Sequence, residues 1–189
     1  MKILLANAAF PDQKEVDVLQ SWICSSLTDI QEFIRADLHT KKISPCSACM
    51  ACQIKKPGIC VKKDDMQELL PAYIHSDVVI FVTPLFCGGY SSELKKFIDR
   101  LCPVLAACFE KRNEETWHIP RYEKRPAMIG IGLSDDTATS ETIFNQLFLR
   151  NMRQLNIIKY SFRIVRKGMN SDELNILFHQ SFNKAGIVI

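Results

Sequence analysis

Short apolar runs alternate with amphipathic segments along the whole chain. Residues 2–7, KILLAN, are a brief apolar run that predicts a buried strand. Val16, Leu19, Ile23 and Leu27 then recur at helical spacing. Residues 30–38, IQEFIRADL, predict a second, more polar strand near a sheet edge. Asp64 followed by Gln67 is a capping signature for a helix whose face carries Met66, Leu69, Leu70, Tyr73 and Ile74, with Pro71 expected to kink it. DVVIFVTP (77–84), PAMIGIGL (126–133) and NIIKYSFRIV (156–165) predict three more strands. One helix follows each of them: Leu94, Phe97, Ile98 and Leu101 share a face, then Ile143, Phe144, Leu147 and Phe148, then Leu174, Leu177, Phe178 and Phe182, the last helix capped by Ser171.

Five strands separated by helices predict an α/β fold, a three-layer, doubly wound parallel sheet of five strands in the order 2-1-3-4-5. No internal repeat or linker divides the chain, so residues 1–189 are expected to form a single domain, with a cysteine loop at 44–60 and a polar excursion without clear period at 109–125. In such a sheet a ligand lies beyond the C-terminal strand ends, here at loops 7–14, 84–91 and 133–140.

Composition narrows the class. Hydrophobic residues make up 47% and charged residues 24%, and the net charge of +3 is scattered, which argues against a nucleic-acid partner. The longest apolar stretch, VVIFVTPLF, falls far short of the roughly 20 residues of a membrane-spanning helix. The start, MKILLANAAF, reads as a strand and not as a leader peptide, so a cytoplasmic location with reduced thiols is expected.

The loop TPLFCGGY closes the third strand. Gly88 and Gly89 allow a tight turn or the close approach of backbone to a flat ligand, and Ser91 opens a helix. The same loop also reads as an ordinary strand-to-helix turn. DVVIFVTPLFCGGYSSELKKFIDRL, with its strand ending in Thr-Pro, aromatic-containing turn and Leu-Lys-x-Phe-x-Asp-Arg helix, resembles the NADPH-dependent FMN reductase and iron–sulfur flavoprotein group of the flavodoxin-like superfamily. PCSACMACQIKKPGICVKKDDM is similar to that group as well. The resemblance is good over residues 43–102, weaker before them and only architectural after them.

The resemblance implies an isoalloxazine ring of FMN against Thr83, Pro84, Leu85, Phe86, Cys87 and Gly88; Ser134, in the loop after the fourth strand, is placed to touch a ligand's ring edge. The resemblance implies hydride transfer from NAD(P)H to the flavin and on to a small-molecule acceptor, with no side chain required as acid or base. It also implies a homodimer or higher homo-oligomer. The first loop departs from the family pattern. Where the family has Gly-Ser-Pro-Arg and hydroxyl residues around the phosphate, this chain has Ala8, Ala9, Phe10 and Pro11, then the carboxylates Asp12, Glu15 and Asp17. Asn7, Gln13, Lys14 and the backbone at Ala9 are the groups left to hold a phosphate.

Cys46, Cys49 and Cys52 are spaced C-x2-C-x2-C, and Cys60 follows. Four such thiolates can wrap an iron–sulfur cluster, as the resemblance to the iron–sulfur flavoprotein branch implies. Buried packing thiols, zinc and redox use are the other readings, although zinc favours two separated pairs. Cys87 reads as turn packing or a redox-sensitive thiol, and Cys24, Cys102 and Cys108 read as core. His39, His75, His118 and His179 form no ligand pattern. Asp135 and Asp136 read as a solvated turn, with Thr137 beside the expected site. Three functions follow: an NAD(P)H-dependent FMN oxidoreductase, an iron–sulfur flavoprotein electron carrier, or a protein that keeps the fold, binds no flavin and acts through partners.

Overall fold

Residues 1–134 and 138–188 are described by the structure, a computed structural model. Five parallel strands form one sheet: β1 (Lys2–Asn7), β2 (Glu32–Asp37), β3 (Val78–Pro84), β6 (Ala127–Leu133) and β7 (Tyr160–Val165). Their order is β2-β1-β3-β6-β7, which is the expected 2-1-3-4-5. Every residue of β3 and β6 is buried, as strands covered on both faces must be, while β2 is a partly exposed edge.

Alternation along each strand sends neighbours to opposite layers. Leu4, Val79, Phe81 and Met128 pack against α2 (Met66–His75), α3 (Ser92–Asp99) and α4 (Ala138–Gln154), through Leu69, Tyr73, Phe97, Phe144 and Phe148. Ile3, Leu5, Ile80, Val82 and Ile129 pack against α1 (Glu15–Ser26) and α5 (Ser171–Lys184), through Leu19, Ile23, Phe178 and Phe182. Gly130 permits the closest of these approaches, since a Cβ there would stand 2.6 Å from the Phe148 ring. Among the described residues no helix is long and apolar enough to cross a membrane.

The excursion is a β-hairpin of β4 (Leu105–Arg112) and β5 (Glu115–Pro120), outside the main sheet. Its two-residue turn, Asn113-Glu114, has both residues at positive φ (47° and 62°), the twist that two-residue hairpins require. The ribbon exposes most of both faces, so no period of two marks it in the sequence. Arg121 ties its base by donating to the carbonyls of Pro103 and Leu105, and Glu115 pairs with Arg150 and Arg153 late in α4. Its described ties therefore lie with the end of α4 and not with the loops beyond the strands.

Several local expectations are corrected. The last helix is capped by Asn170 in a full capping box with Glu173, and Ser171 is its first residue. Asp64 makes no capping box with Gln67; its carboxylate serves a buried ion pair, and α2 starts at Met66 and runs through Pro71. Cys24 and Cys108 are exposed, and Cys102 is only half-buried. Ile143 is exposed on α4, whereas Phe144 and Phe148 turn inward.

Candidate functional site

Loop 84–91 is knitted from within. The Thr83 hydroxyl is fully buried; it accepts the Ser91 N–H at 3.0 Å and lies 3.2 Å from the Ser91 hydroxyl. Ser91 in turn accepts the Leu94 N–H and so caps α3. Phe86 and Gly89 exchange two backbone bonds of 3.1 and 2.8 Å around Cys87 and Gly88, whose φ values are 50° and 77°. A Cβ at Gly88 would strike Ile143 at 2.6 Å, so this turn requires glycine twice over. The result buries Thr83, Pro84 and Gly88, half-buries Leu85, and leaves Phe86 and Cys87 exposed. Thr83, Pro84 and Gly88 thus position the loop, and Leu85 to Cys87 form its outer surface.

The loop after β1 is also internally bonded. Asn7 is buried; its amide donates to Asp37 at 2.6 Å, and its oxygen accepts the Ala9 N–H at 3.0 Å. The Phe10 N–H donates to the Gln13 side chain at 2.8 Å, and the Gln13 N–H returns to the Phe10 carbonyl at 3.0 Å. His39 Nε2 lies 2.9 Å from the Ala8 carbonyl, and because a carbonyl only accepts, the ring donates there. Burial would raise the Asp37 carboxyl, but the bonds from Asn7 and Arg35 hold it below its ordinary value. Arg35 also binds Asp17 at 2.7 Å, so of the three carboxylates expected to face a phosphate, Asp17 already has a cation.

Between these loops lies a cleft of about 550 Å³, lined by Asp12, Gln13, Lys14, Glu15, Leu85, Leu133, Ser134, Val165 and Lys167. Of the expected site residues, Gln13, Lys14, Leu85 and Ser134 meet here. Phe86, the next residue after Leu85, does not line it and stands edge-on to Phe10 at 6.4 Å. Val165 and Lys167 are additions; their place at the end of the last strand was the signal for them. Asp135, Asp136 and Thr137 lie outside the described residues.

The cysteine loop forms a second feature. Cys46, Cys49, Cys52 and Cys60 line one small cavity of about 40 Å³, together with Gln53, Arg100 and a fifth thiol, Cys102. Arg100 is 2% exposed and donates to Asp64 at 2.7 and 3.0 Å and to the Ser44 carbonyl at 2.8 Å. Asp64 also accepts the Ser44 N–H, so this pair clamps the start of the loop. Burial opposes the Asp64 charge, yet bonds from Arg100 and Ser44 draw its carboxyl down to about 2. Arg100 Nε and Gln53 Oε1 are buried without a hydrogen-bond partner. Burial and the neighbouring Cys46 and Cys52 push the Cys102 thiol up to about 12. A backbone bond from Ala51 lowers that of exposed Cys49.

Four thiols on one cavity, with an unpaired arginine N–H beside them, are the donor set an iron–sulfur cluster uses. Among the described residues, however, no three such groups converge tightly enough to ligate a metal. The cavity holds about one water's share of space, so a cluster would have to widen it. Arg100 was not singled out in the sequence and Cys102 read as core, although Arg100 stands in the helix segment that carried the resemblance.

Solved structures share the fold over nearly the full chain. Smu.1420 from Streptococcus mutans matches with a TM-score of 0.68 at 15% identity, covering 98% of this chain and 97% of that one. An FMN-dependent NADH-azoreductase from Bacillus anthracis, solved with FMN, matches at 0.65 and 15% identity, covering 98% and 97%. Among curated relatives, an iron-sulfur flavoprotein of Archaeoglobus fulgidus is 38% identical over 72 residues, 38% of this chain and 32% of that protein. One of Methanocaldococcus jannaschii is 42% identical over 66 residues, 35% of this chain and 33% of that protein. The matched stretch spans about a third of each of these two relatives. The family of NADPH-dependent FMN reductases matches residues 2–155, most of the length of the protein, and the chain belongs to that family.

Proposed function

We propose that the protein is an NAD(P)H-dependent flavin oxidoreductase that reduces a small acceptor. The observation that carries this reading is the cleft at the C-terminal ends of β1, β3 and β6, the place where open parallel sheets bind ligands. When bound, FMN supplies the hydride-accepting chemistry. Leu85, Phe86 and Cys87 offer the ring an apolar surface, and Gly88 is buried in the turn that holds them. Among the described residues no backbone acceptor meets the N–H groups of Cys87 and Gly88, which suits them to the polar ring edge. Ser134, Gln13 and Lys14 line the same cleft, whereas Asn7 and Ala9 support its first loop. The resemblance further supports a homo-oligomer and a single domain, and eight free cysteines suit a reducing cytoplasm.

The test is the visible spectrum of anaerobically purified protein before and after FMN addition, followed by rapid mixing with NADH and NADPH. Two flavin bands that bleach with either nicotinamide support the reading. A spectrum that FMN does not perturb sinks it and leaves a partner-binding protein with this fold.

The shared cavity of Cys46, Cys49, Cys52 and Cys60 favours a second reading, an electron carrier with a four-iron cluster beside the flavin. Broad visible absorption with matching iron and sulfide content, lost in Cys49→Ser, would support it. Iron-free protein after anaerobic purification would remove it.

A further inference from the structure

Arg100 and Asp64 do more than pair with each other. Arg100 donates to the Ser44 carbonyl at 2.8 Å, and Asp64 accepts the Ser44 N–H at 2.9 Å. The clamp fastens the start of the cysteine loop to the end of α3. Ser44 stands two residues before Cys46, and Arg100 two residues before Cys102. Two thiols far apart in the chain are thereby brought together, one on the loop and one in the 3-10 turn Cys102–Val104. Both line the small cavity, and both also line a separate groove of about 250 Å³ with Ala48, Asp99 and Leu105. The Cys46 side chain lies within hydrogen-bonding reach of the Cys102 thiol.

The two partners differ in freedom. Cys102 is half-buried and donates to the Asp99 carbonyl at 3.3 Å. Cys46 is exposed, on a stretch (residues 42–50) that belongs to no helix or strand. A shift of this loop can bring Cys46 onto a fixed partner, to the roughly 2.05 Å of an S–S bond. Cys49 is oriented by other groups, the Ala51 backbone and the Ser47 side chain.

We propose that Cys46 and Cys102 are a redox pair, which hydrogen peroxide closes to a disulfide between the cysteine loop and the turn after α3. The Cys46 sulfur attacks peroxide and the O–O bond breaks. One oxygen leaves as water, and the other stays on the sulfur as a sulfenic acid. The Cys102 sulfur then attacks the Cys46 sulfur. The S–O bond breaks, and the second oxygen leaves as water with the Cys102 proton. Two thiols lose two electrons and two protons, and peroxide becomes two waters. The bond takes Cys46 out of the four thiols available to a four-iron cluster, a consequence that alone rests on the cluster reading.

Peptide mapping of the full chain tests this. Protein freed of metal by a chelator is treated with hydrogen peroxide, and its remaining thiols are alkylated in denaturant. The digest is read by mass spectrometry with and without reductant. The expected product is a peptide that links Cys46 to Cys102 and is lost on reduction, with Cys102 no longer alkylated. Links from Cys46 to Cys49, Cys52 or Cys60 as the main product overturn the inference, and so does a freely alkylated Cys102 beside an oxidised Cys46. Cys102→Ser, a near-isosteric change, should leave the Cys46 sulfenic acid without its partner, so that it goes on to the sulfinic acid. Cys46 products identical to those of the unaltered chain would overturn the pair. The linked protein should take up no iron and sulfide until it is reduced. A cluster that assembles while the link is intact overturns that consequence. Reduced protein that assembles none removes the cluster reading and leaves the pair standing.

Discussion

The cleft beyond the strands and the cavity under the cysteine loop are built on opposite principles. The cleft is wide, about 550 Å³, and its walls mix charged side chains of both signs with Leu85, Leu133 and Val165. The cysteine cavity is about 40 Å³, and the Arg100 in its wall forms an ion pair with Asp64 that is almost wholly buried. An open cleft whose loops satisfy their own hydrogen bonds keeps its shape without a ligand and can exchange one. A small cavity whose wall includes a buried arginine N–H without a hydrogen-bond partner keeps a group that is costly to leave unmet. The first arrangement suits a substrate or a loosely held flavin, and the second a group locked in place.

The largest expected effect breaks the cavity alone. Arg100→Ala leaves Asp64 buried and uncompensated, which should cost about 3–5 kcal/mol and lower the midpoint of denaturant unfolding. Replacing both partners by apolar residues of similar volume should recover much of that loss. An equal loss in both variants would mean that the Ser44 clamp, and not the ion pair, carries the stability.

Gly88→Val attacks the other region. It forces a β-branched residue to a φ of 77° and into Ile143, and the expected cost is about 1–3 kcal/mol, with flavin binding weakened as the 84–91 turn shifts. Unchanged flavin affinity in a variant that is destabilised but folded would move the ring away from this loop.

Acid should separate the two regions without mutation. The Asp64 carboxyl is depressed from 3.8 to about 2, so its contribution is fully present above the unfolded value and is lost as pH falls through the folded one. Stability should drop by about 2 kcal/mol between pH ~4 and ~2, and Asp64→Asn should flatten that part of the profile. A profile of wild-type shape in Asp64→Asn would assign the acid loss to other carboxylates.

The smallest effect is a ranking of thiols. Cys49 is exposed with a lowered pKa, whereas the Cys102 thiol is pushed up to about 12, so mass spectrometry after brief alkylation should find Cys49 modified first and Cys102 last. Early labelling of Cys102 would mean that the cavity opens readily.

Much of this was legible in the chain. The buried runs of β3 and β6 announce central parallel strands, and alternating helices leave little freedom in their order. Loop 84–91 stood out because glycines and a capping serine in that order suit few conformations. The hairpin did not stand out, since a ribbon exposed on both faces has no hydrophobic period and its turn uses Asn113-Glu114 in place of Asn-Gly. Asn170 and Ser171 are both good caps, and only the geometry chose between them.

By itself the sequence determined the five strands of the main sheet, the layers and the two loops where chemistry belongs, because period and turn chemistry are local properties of a chain. Only the tertiary structure decided what those loops do with their polar groups. Asp64 reads only as a cap, and the structure, besides letting it accept the Met66 N–H, brings it Arg100 from the end of α3 across 36 residues. Asp17 reads as a threat to phosphate until β2 supplies Arg35, and Asn7 reads as a ligand donor until Asp37 takes its amide. A hydrogen bond or an ion pair goes to whichever partner folding places within about 3 Å, and spacing along the chain does not encode that distance.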